Sequence, residues 1–285
     1  MKNKKSILIT GASTGIGRET ALYLDKMGYM VFACVRDGAD GENLKKEASD
    51  KLQILLLDVT KEETIKSAVS IVSKETEYPL WGLVNNAGIG MRSVLEIIPK
   101  EEFQKVFDIN VVGMHTVTRE FLPLIRKNRG RIINIGSEAG FMSGAGGGAY
   151  AASKFAVRAL TDALRLEMVP YGVFVSHVAP TSTESAIWEK NIEDAQLREG
   201  ISDELLEGYN YFFKVQDRAT RERIKPIPAI EVAKDISDAL TSTSPKYEYY
   251  SGEKSKKAYE MSLLPKERMI RCSLKRLSKF IKLYG

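Results

Sequence analysis

The stretch KSILITGASTGIG, residues 5–17, decides the class of fold. It begins with a continuous apolar run and passes into a turn that carries three glycines. A helical pattern follows at once, over about 15–27, and ends at Gly28. A strand that enters a glycine-rich turn and then a helix points backbone N–H groups and the helix N-terminus at one place, where they can bind phosphate. The stretch therefore predicts a nucleotide-binding βα unit at the start of the chain.

Apolar runs recur along the chain and alternate with amphipathic helical patterns. Strands are predicted at residues 5–10, 29–35, 52–59, 81–87, 130–137, 172–180 and about 246–250, and further helices at about 101–127, 149–169 and 230–241. The strands lack polar alternation, which indicates burial on both faces, as in a parallel sheet between two layers of helices. The sequence thus predicts an α/β fold of three layers, with a doubly wound parallel sheet of about seven strands.

The domain organisation follows from the absence of an internal repeat and of a Pro- or Ser-rich linker, so we expect residues 1–285 to form one domain. Residues 181–228 interrupt the βα rhythm with aromatic residues among many charges, and they are predicted to form a helical lobe. A basic tail of about 251–285 follows the last predicted strand.

Composition narrows the classes of function. The net charge is +5, and the tail alone holds ten Lys or Arg against three acidic residues, which leaves 32 basic and 34 acidic residues elsewhere. The main body is therefore not expected to bind nucleic acid. Two cysteines and two histidines without an acidic cluster predict no metal site. No apolar run approaches the roughly 20 residues of a membrane helix, and we expect a soluble, cytoplasmic protein.

Further motifs occur in a fixed order along the predicted sheet. Asp58 and Val59 end the third strand, Asn85-Asn86-Ala87-Gly88 ends the fourth strand, and Ser137 ends the fifth. Asn110 lies between the fourth and fifth strands, and Tyr150-x-x-x-Lys154 opens a helix. With the spacing G-x-x-x-G-x-G of the first turn, this set resembles the short-chain dehydrogenase/reductase family over about residues 4–250. The stretch VFACVRDGADGENL and the long tail resemble its steroid and retinol dehydrogenase branch.

The resemblance implies a Rossmann fold and hydride transfer between NAD(P)(H) and a secondary alcohol or ketone, in a homodimer or homotetramer. The residues that it maps onto the cofactor are Gly11, Ser13, Thr14, Gly15, Ile16, Gly17, Arg36, Asp58, Val59, Asn86, Ala87, Gly88, Tyr150, Lys154, Pro180 and Ser185. Arg36 follows the second strand, and an Arg at that place accommodates a 2′-phosphate, which favours NADP. Asp37 could still bind a ribose 2′-hydroxyl, so NAD stays open.

The predicted catalytic residues are Asn110, Ser137, Tyr150 and Lys154. Tyr150 and Lys154 share one helix face because they are four residues apart. A lysine ammonium and an oxidised nicotinamide are expected to lower the pKa of the phenol, which then exchanges a proton with the substrate oxygen. Ser137 polarises the same oxygen. The resemblance implies that Asn110 holds a water linked to Lys154.

One segment departs from the family pattern. The family has Pro-Gly after the sixth strand and a Thr four residues later, whereas this chain has Pro180-Thr181 and Ser185. A side chain at position 181 restricts the backbone. We expect the contact with the nicotinamide carboxamide to be made by Ser185 and the main chain.

The substrate pocket is predicted from Ser137, Met142, Tyr150 and Trp188. Other candidate wall residues are apolar or aromatic, namely Met91, Phe141, Tyr209, Phe212 and Phe213. Such walls suit a small lipophilic alcohol or ketone, of steroid or retinoid type. The alternative is that the aromatic side chains pack the lobe against the main body.

Two alternatives stay open. A helical stripe of Ile270, Leu274, Leu277, Ile281 and Tyr284 predicts that the tail docks on its own domain or on a partner subunit, or that it lies on an anionic membrane surface. The fold could also serve a non-catalytic NAD(P)-sensing binding protein. The presence of all four predicted catalytic residues argues against the sensor.

Overall fold

The computed structural model describes residues 4–184, 201–209, 213 and 226–284. In this part of the chain, seven parallel strands form one sheet in the order β3-β2-β1-β4-β5-β6-β7. The strands are β1 (Ser6–Ile9), β2 (Met30–Val35), β3 (Leu52–Leu56), β4 (Leu80–Asn85), β5 (Arg131–Ile135), β6 (Phe174–Pro180) and β7 (Glu248–Ser251). The order reverses between β1 and β4, so the predicted doubly wound Rossmann sheet is confirmed.

Helices cover both faces of this sheet. They are α1 (Gly15–Lys26), α2 (Gly38–Lys45), α3 (Glu62–Val72), α4 (Lys100–Phe107), α5 (Met114–Lys127), α6 (Gly148–Met168), α7 (Ala229–Thr241), α8 (Glu253–Ser262) and α9 (Lys266–Tyr284). Alternate side chains of β1 enter the two layers, because successive residues of a strand point to opposite faces. Ile7 packs in a core with α1 and α7 residues, and Leu8 packs in a second core with residues of α3 and α5.

The helix predicted over 101–127 is interrupted. A π-helical turn, Asp108–Gly113, separates α4 from α5. Such a turn carries one extra residue within a helix, and it occurs often at functional sites. Here it contains Asn110, whose side chain is buried. The short helices α2 and α3 were not predicted, and β3 ends at Leu56, so Asp58 and Val59 lie in the loop beyond the strand.

The tail forms two helices with different surroundings. On α8, the hydroxyl of the buried Ser255 donates to the carbonyl oxygen of Ala179 at 2.6 Å, and the ring of Tyr259 stacks on Tyr250 with 4.8 Å between ring centroids. On α9, Ile270 and Leu274 of the predicted stripe are 44% and 58% exposed. These two side chains therefore do not dock on their own domain. None of the described helices has both the length and the apolarity of a membrane span.

The described part of the predicted lobe packs on the loop after β4. Ile201, Leu205, Leu206 and Tyr209 join Phe213 in a small apolar cluster with Val94 and Ile97. For Tyr209 and Phe213, the structure thus favours the packing alternative over the pocket wall. The predicted site residues Ser185 and Trp188, and the candidate wall residue Phe212, lie outside the described residues.

Candidate active site

A cavity of ≈ 770 Å³ opens at the carboxyl ends of the strands. Parallel sheets bind ligands at this edge, where the strand order reverses. The cavity brings together most of the predicted site: its lining includes Gly11, Ser13, Thr14, Gly15, Ile16, Arg36, Asp58, Val59, Asn86, Ala87, Gly88, Ser137, Met142, Tyr150, Lys154 and Pro180. Gly17 and Asn110 are predicted site residues that stand behind this lining.

The glycine turn is closely packed. Gly11 and Gly15 have φ angles of 65° and 56°, in the left-handed region that favours glycine. A Cβ at Gly17 would lie 2.3 Å from the carbonyl oxygen of Gly11 and 2.4 Å from Nδ2 of Asn86. Gly17 therefore contributes by letting the start of α1 approach the turn, and not by direct contact with a ligand.

Asn86 and Thr10 tie the end of β4 to this turn. Nδ2 of Asn86 donates to the carbonyl oxygens of Thr10 at 2.9 Å and Gly11 at 3.0 Å. The hydroxyl of Thr10 accepts from the backbone N–H groups of Asn86 and Ala87, each at 3.0 Å. No acidic residue occupies the first turn of α1, so nothing in that turn offsets its positive helix end. The glycine turn, Thr10 and Asn86 thus form a cradle, called the glycine cradle below. It lies at the electropositive N-terminus of α1, which fits a pyrophosphate.

The two residues beyond β2 have different roles. Arg36 is exposed and lines the cavity. The carboxylate of Asp37 caps α2 by accepting from the backbone N–H of Ala39 at 2.8 Å. Burial opposes ionisation of Asp58, but hydrogen bonds from Thr60 and the nearby charges of Arg36 and Lys61 outweigh it and lower the pKa of Asp58. Arg36 thus stands where an additional phosphate would meet a cation.

Lys154 projects from α6 into the interior. Its Nζ donates to the carbonyl oxygen of Ile135 at 2.9 Å, and it lies 5.8 Å from the ring centroid of Tyr150. Burial of the ammonium lowers the pKa of Lys154 to about 8. The side chain is therefore held at the floor of the cavity, next to the phenol with which it was predicted to act.

Tyr150 and Ser137 both line the cavity and share a side-chain hydrogen bond, so their hydroxyl groups are close enough to contact one substrate oxygen. Burial raises the pKa of Tyr150 to about 12, the bond with Ser137 and the charge of Arg92 lower it, and the charge of Glu138 raises it. The described protein groups by themselves do not give the predicted fall in the pKa, because burial outweighs the bond with Ser137 and the charge of Arg92. The positive charge of an oxidised nicotinamide would act in the predicted direction.

Asn110 makes a clamp between the loop after β4 and α6. Its Oδ1 accepts from the backbone N–H of Ile89 at 2.8 Å, while its Nδ2 donates to the carbonyl oxygen of Ile89 and to the hydroxyl of Ser153, both at 3.0 Å. The side chain thus fixes the loop that carries Gly88 beside Lys154. Its link to Lys154 through a water stays a prediction.

Thr181, the departure from the family pattern, is accommodated without left-handed backbone. Among the described non-glycine residues, Arg129 alone has a positive φ. The N–H of Thr181 donates to the carbonyl oxygen of Ser251 at 3.0 Å, and its hydroxyl donates to Oε2 of Glu138 at 2.9 Å. Ser182 and Thr183 line the cavity after it, although the sequence did not single them out.

Three charged residues of the lining were also missed. Arg92 lies in the loop after β4, Lys105 lies on α4, and Glu138 directly follows Ser137. A charged residue next to a predicted catalytic serine is a signal that the sequence offered. Phe141, a candidate wall residue, instead packs against Tyr250 and Tyr259 with ring centroids 5.7 Å and 5.5 Å away, and it is absent from the lining.

Comparisons with known proteins agree with this geometry. The family model of the short chain dehydrogenases matches residues 5–196. The chain is 37% identical over 263 residues to the short-chain dehydrogenase/reductase family 9C member 7 of Bos taurus, covering 90% of this chain and 84% of that protein. It is 36% identical over 270 residues to retinol dehydrogenase 7 of Rattus norvegicus, covering 92% and 85%.

A solved structure shares the fold over nearly the whole chain. It is a short-chain dehydrogenase from Streptomyces avermitilis, with 26% identity, a TM-score of 0.77 and coverage of 98% of this chain and 97% of that one. The glycine cradle, the Ser137–Tyr150 pair and the buried Lys154 thus occur in a chain that matches the short chain dehydrogenase family model. The chain belongs to the short-chain dehydrogenase/reductase family of NAD(P)-dependent oxidoreductases.

Proposed function

We propose that this protein transfers a hydride between NADP(H) and a lipophilic secondary alcohol or ketone. The observation that carries the proposal is the hydrogen bond between Tyr150 and Ser137 in the cavity that also contains Lys154 and the glycine cradle. The preference for NADP over NAD rests on Arg36, which lines the cavity, and on Asp37, whose carboxylate caps α2.

The residues fit a dinucleotide. The cradle at the N-terminus of α1 would hold the pyrophosphate, and Asp58 and Val59 would lie beside the adenine. Lys154 would hold the ribose next to the nicotinamide, because its ammonium group lies close to Gly88, another residue predicted to contact the cofactor. When bound, the nicotinamide supplies or accepts the hydride.

The chain's own groups manage the proton. In reduction, Tyr150 donates its hydroxyl proton to the substrate oxygen as the carbonyl carbon gains the hydride, and in oxidation it takes that proton back. Ser137 holds the same oxygen, because its hydroxyl lies within hydrogen-bond reach of the phenol. The Lys154 ammonium stabilises the phenolate that forms when the proton leaves.

A lipophilic substrate is supported by the walls of the cavity near Tyr150. Ile89, Met91 and Met142 line it with apolar surface. One relative, 34% identical over 264 residues, is named estradiol 17-beta-dehydrogenase 2 of Mus musculus, and another is the rat retinol dehydrogenase already described. Steroid-like and retinoid-like alcohols and ketones are therefore the first compounds to try.

A panel of such alcohols and ketones, assayed with both cofactors by nicotinamide absorbance, tests the proposal. Tyr150→Phe should abolish turnover and leave cofactor binding intact, because it removes only the hydroxyl group that exchanges the proton and keeps the ring. Tyr171→Phe is a matched control, since Tyr171 is exposed and outside the cavity lining. Silence of the wild-type protein across the whole panel, with cofactor still bound, would favour the non-catalytic sensor.

A homodimer or homotetramer is part of the proposal. Apolar side chains are exposed on α6 and just after it, namely Phe155, Leu160, Leu166 and Val169. A second copy that covered them would remove this surface from water. Sedimentation equilibrium would settle the state, and a monomer at micromolar concentration would refute it.

We also propose the cytoplasm as the location, with weak contact between α9 and anionic membrane surfaces. Ile270 and Leu274 are exposed on a helix that also exposes Lys266, Arg268 and Arg271. Vesicles that contain an anionic lipid should sediment the full chain and not a variant ending at Leu264, which keeps α8. If neither sediments, the membrane contact is refuted.

A further inference from the structure

An acidic side chain stands directly beside the catalytic serine. Glu138 follows Ser137 at the end of β5, is half-buried and lines the cavity. Its Oε2 accepts from the hydroxyl of Thr181 at 2.9 Å. Thr181, which stands where the family pattern has a glycine, is thus the hydrogen-bond partner of a carboxyl group in the cavity.

Thr181 holds one oxygen of the carboxyl group, and a turn fixes the backbone of Glu138. Thr181 is fixed by its bond to the carbonyl oxygen of Ser251 at 3.0 Å, and its own carbonyl oxygen accepts from the hydroxyl of Thr183 at 2.9 Å. The turn that carries Glu138 is closed by the N–H of Gly140, which donates to the carbonyl oxygen of Ser137 at 2.9 Å. The orientation of the carboxyl group is therefore set by the protein before a substrate arrives.

The second carboxyl oxygen, Oε1, has no hydrogen-bond donor among the residues that the structure describes. Two charged or titratable groups interact with Glu138 through charge, Lys254 on α8 and Tyr150 on α6. Among the described residues, neither donates a hydrogen bond to its carboxyl group. A carboxyl group with one oxygen engaged keeps acceptor capacity on the other. A ligand that fills the cavity would take this oxygen out of water, and the acceptor would then need a donor on the ligand.

We propose that Glu138 is a specificity-determining residue, whose Oε1 accepts a hydrogen bond from a donor on the substrate near the reacting carbon. The donor is a hydroxyl or an ammonium group, so the preferred substrates are hydroxylated or aminated ketones and the corresponding alcohols. Thr181 is the positioning residue that orients the carboxyl group. This inference rests on the proposed function, since it names a feature of the substrate of the same site.

Matched ketones test it with the full-length protein. The probes are cyclohexanone, cyclohexanones with a hydroxyl group on the second, third or fourth ring carbon, and a cyclohexanone with an amino group on the fourth. The readout is kcat/KM for each substituted ketone divided by that for cyclohexanone. We expect a ratio of about 10 or more for at least one substituted ketone, from the strength of a hydrogen bond to a charged group.

Variants separate the contributions. Glu138→Leu should bring the ratio to about one, mainly through KM, and Thr181→Val should lower it without abolishing it. Glu138→Gln keeps the shape and one acceptor oxygen, so it should lose the preference for an ammonium group more than that for a hydroxyl group. Glu167→Gln, an exposed change on α6, is the control and should leave the ratio unchanged.

Each outcome decides the inference. A ratio near one in the wild-type protein, or a ratio that survives in both Glu138 variants, overturns it while leaving the proposed function intact. Absence of turnover with every alcohol and ketone, although cofactor binds, overturns the proposed function and this inference with it. Cofactor binding by each variant serves as the check that it is folded.

Discussion

The ammonium group of Lys154 donates a hydrogen bond to the carbonyl oxygen of Ile135, at 2.9 Å, inside the protein. Ile135 is the last residue of β5, two positions before Ser137. The strand that leads to Ser137 therefore also holds Lys154, the lysine proposed to act with it. Since one hydrogen bond only partly replaces the water around an ammonium, burial lowers the pKa of Lys154 to about 8.

This pKa predicts how stability depends on pH. The ordinary pKa is 10.5, so from about pH 8 upward the unfolded chain binds a proton that the native protein has lost. Lys154 should therefore contribute a rise in the free energy of unfolding with pH in this window, by up to about 1.4 kcal/mol per pH unit, while the buried Cys34, whose pKa is raised, contributes in the opposite direction. Lys154→Met should lack this rise. Urea unfolding of both proteins between about pH 8 and pH 10, below the titration of Tyr150, measures the difference, and parallel pH profiles would contradict it.

Gly17 is expected to tolerate no side chain. In Gly17→Ala, the new methyl group would collide with the Gly11 carbonyl oxygen and with Asn86. We expect a loss of about 1–3 kcal/mol in the free energy of unfolding, and at least tenfold weaker NADP binding because the cradle is displaced.

Gly38→Ala is the matched control for Gly17. A Cβ at Gly38 meets nothing within 4 Å, and the residue begins α2. This variant should bind NADP as the wild type does and be at least as stable, since alanine favours helices. Urea unfolding and fluorescence titration with NADPH provide both readouts. Equal behaviour of the two variants would show that the cradle has room to adjust.

Arg36 is expected to set the choice between cofactors. Arg36→Glu should weaken NADP binding by about tenfold or more, through loss of a charge-assisted contact, and should improve NAD binding. Asp37→Ala should cost about 1 kcal/mol of stability, because it removes the cap of α2, and should leave the cofactor preference unchanged. Dissociation constants for both cofactors, measured by fluorescence, would reveal a reversed outcome.

The two tail helices should differ in their importance for the site. A variant that ends at Leu264 loses α9 and should retain turnover, because no described side chain of α9 lines the cavity. A variant that ends at Gly252 also loses α8, with Ser255 and Tyr259, and uncovers Phe141. We expect it to lose most of its activity and to unfold at a lower temperature. Equal activity of both variants would contradict the role of α8.

The fold was largely readable from the sequence because each strand is a short apolar run between polar turns. The ends were less accurate, as at Leu56, since apolar residues continue beyond the last paired residue. The π-helical turn around Asn110 was not predictable, because one extra residue in a helix leaves no mark on composition or period. The helix α2 has a weak apolar pattern, whereas α3 was not predicted although Ile65, Ala68 and Val72 are buried at helical spacing.

Most residues predicted for the cofactor side lie together in the cavity, and their motifs could be found because they are local in the chain. The substrate side depends on distant pairs. Glu138 and Thr181 are 43 positions apart, and they meet only because β5 and β6 pair in parallel and end together. Arg92 influences Tyr150 from a loop whose path no motif specifies. Such pairings are properties of the folded chain, so sequence patterns alone did not reveal them.

The position of α8 against the turn after Ser137 also bears on the timing of biosynthesis. A ribosome makes the nucleotide cradle first and the segment with Ser255 and Tyr259 long afterwards. The early strands β1 to β5 can pair while the rest of the chain is still being translated, but the wall behind Phe141 is then missing. Because α1 also packs in one core with α7, the nucleotide cradle and the catalytic pocket are both completed only when the C-terminal third of the chain has been made.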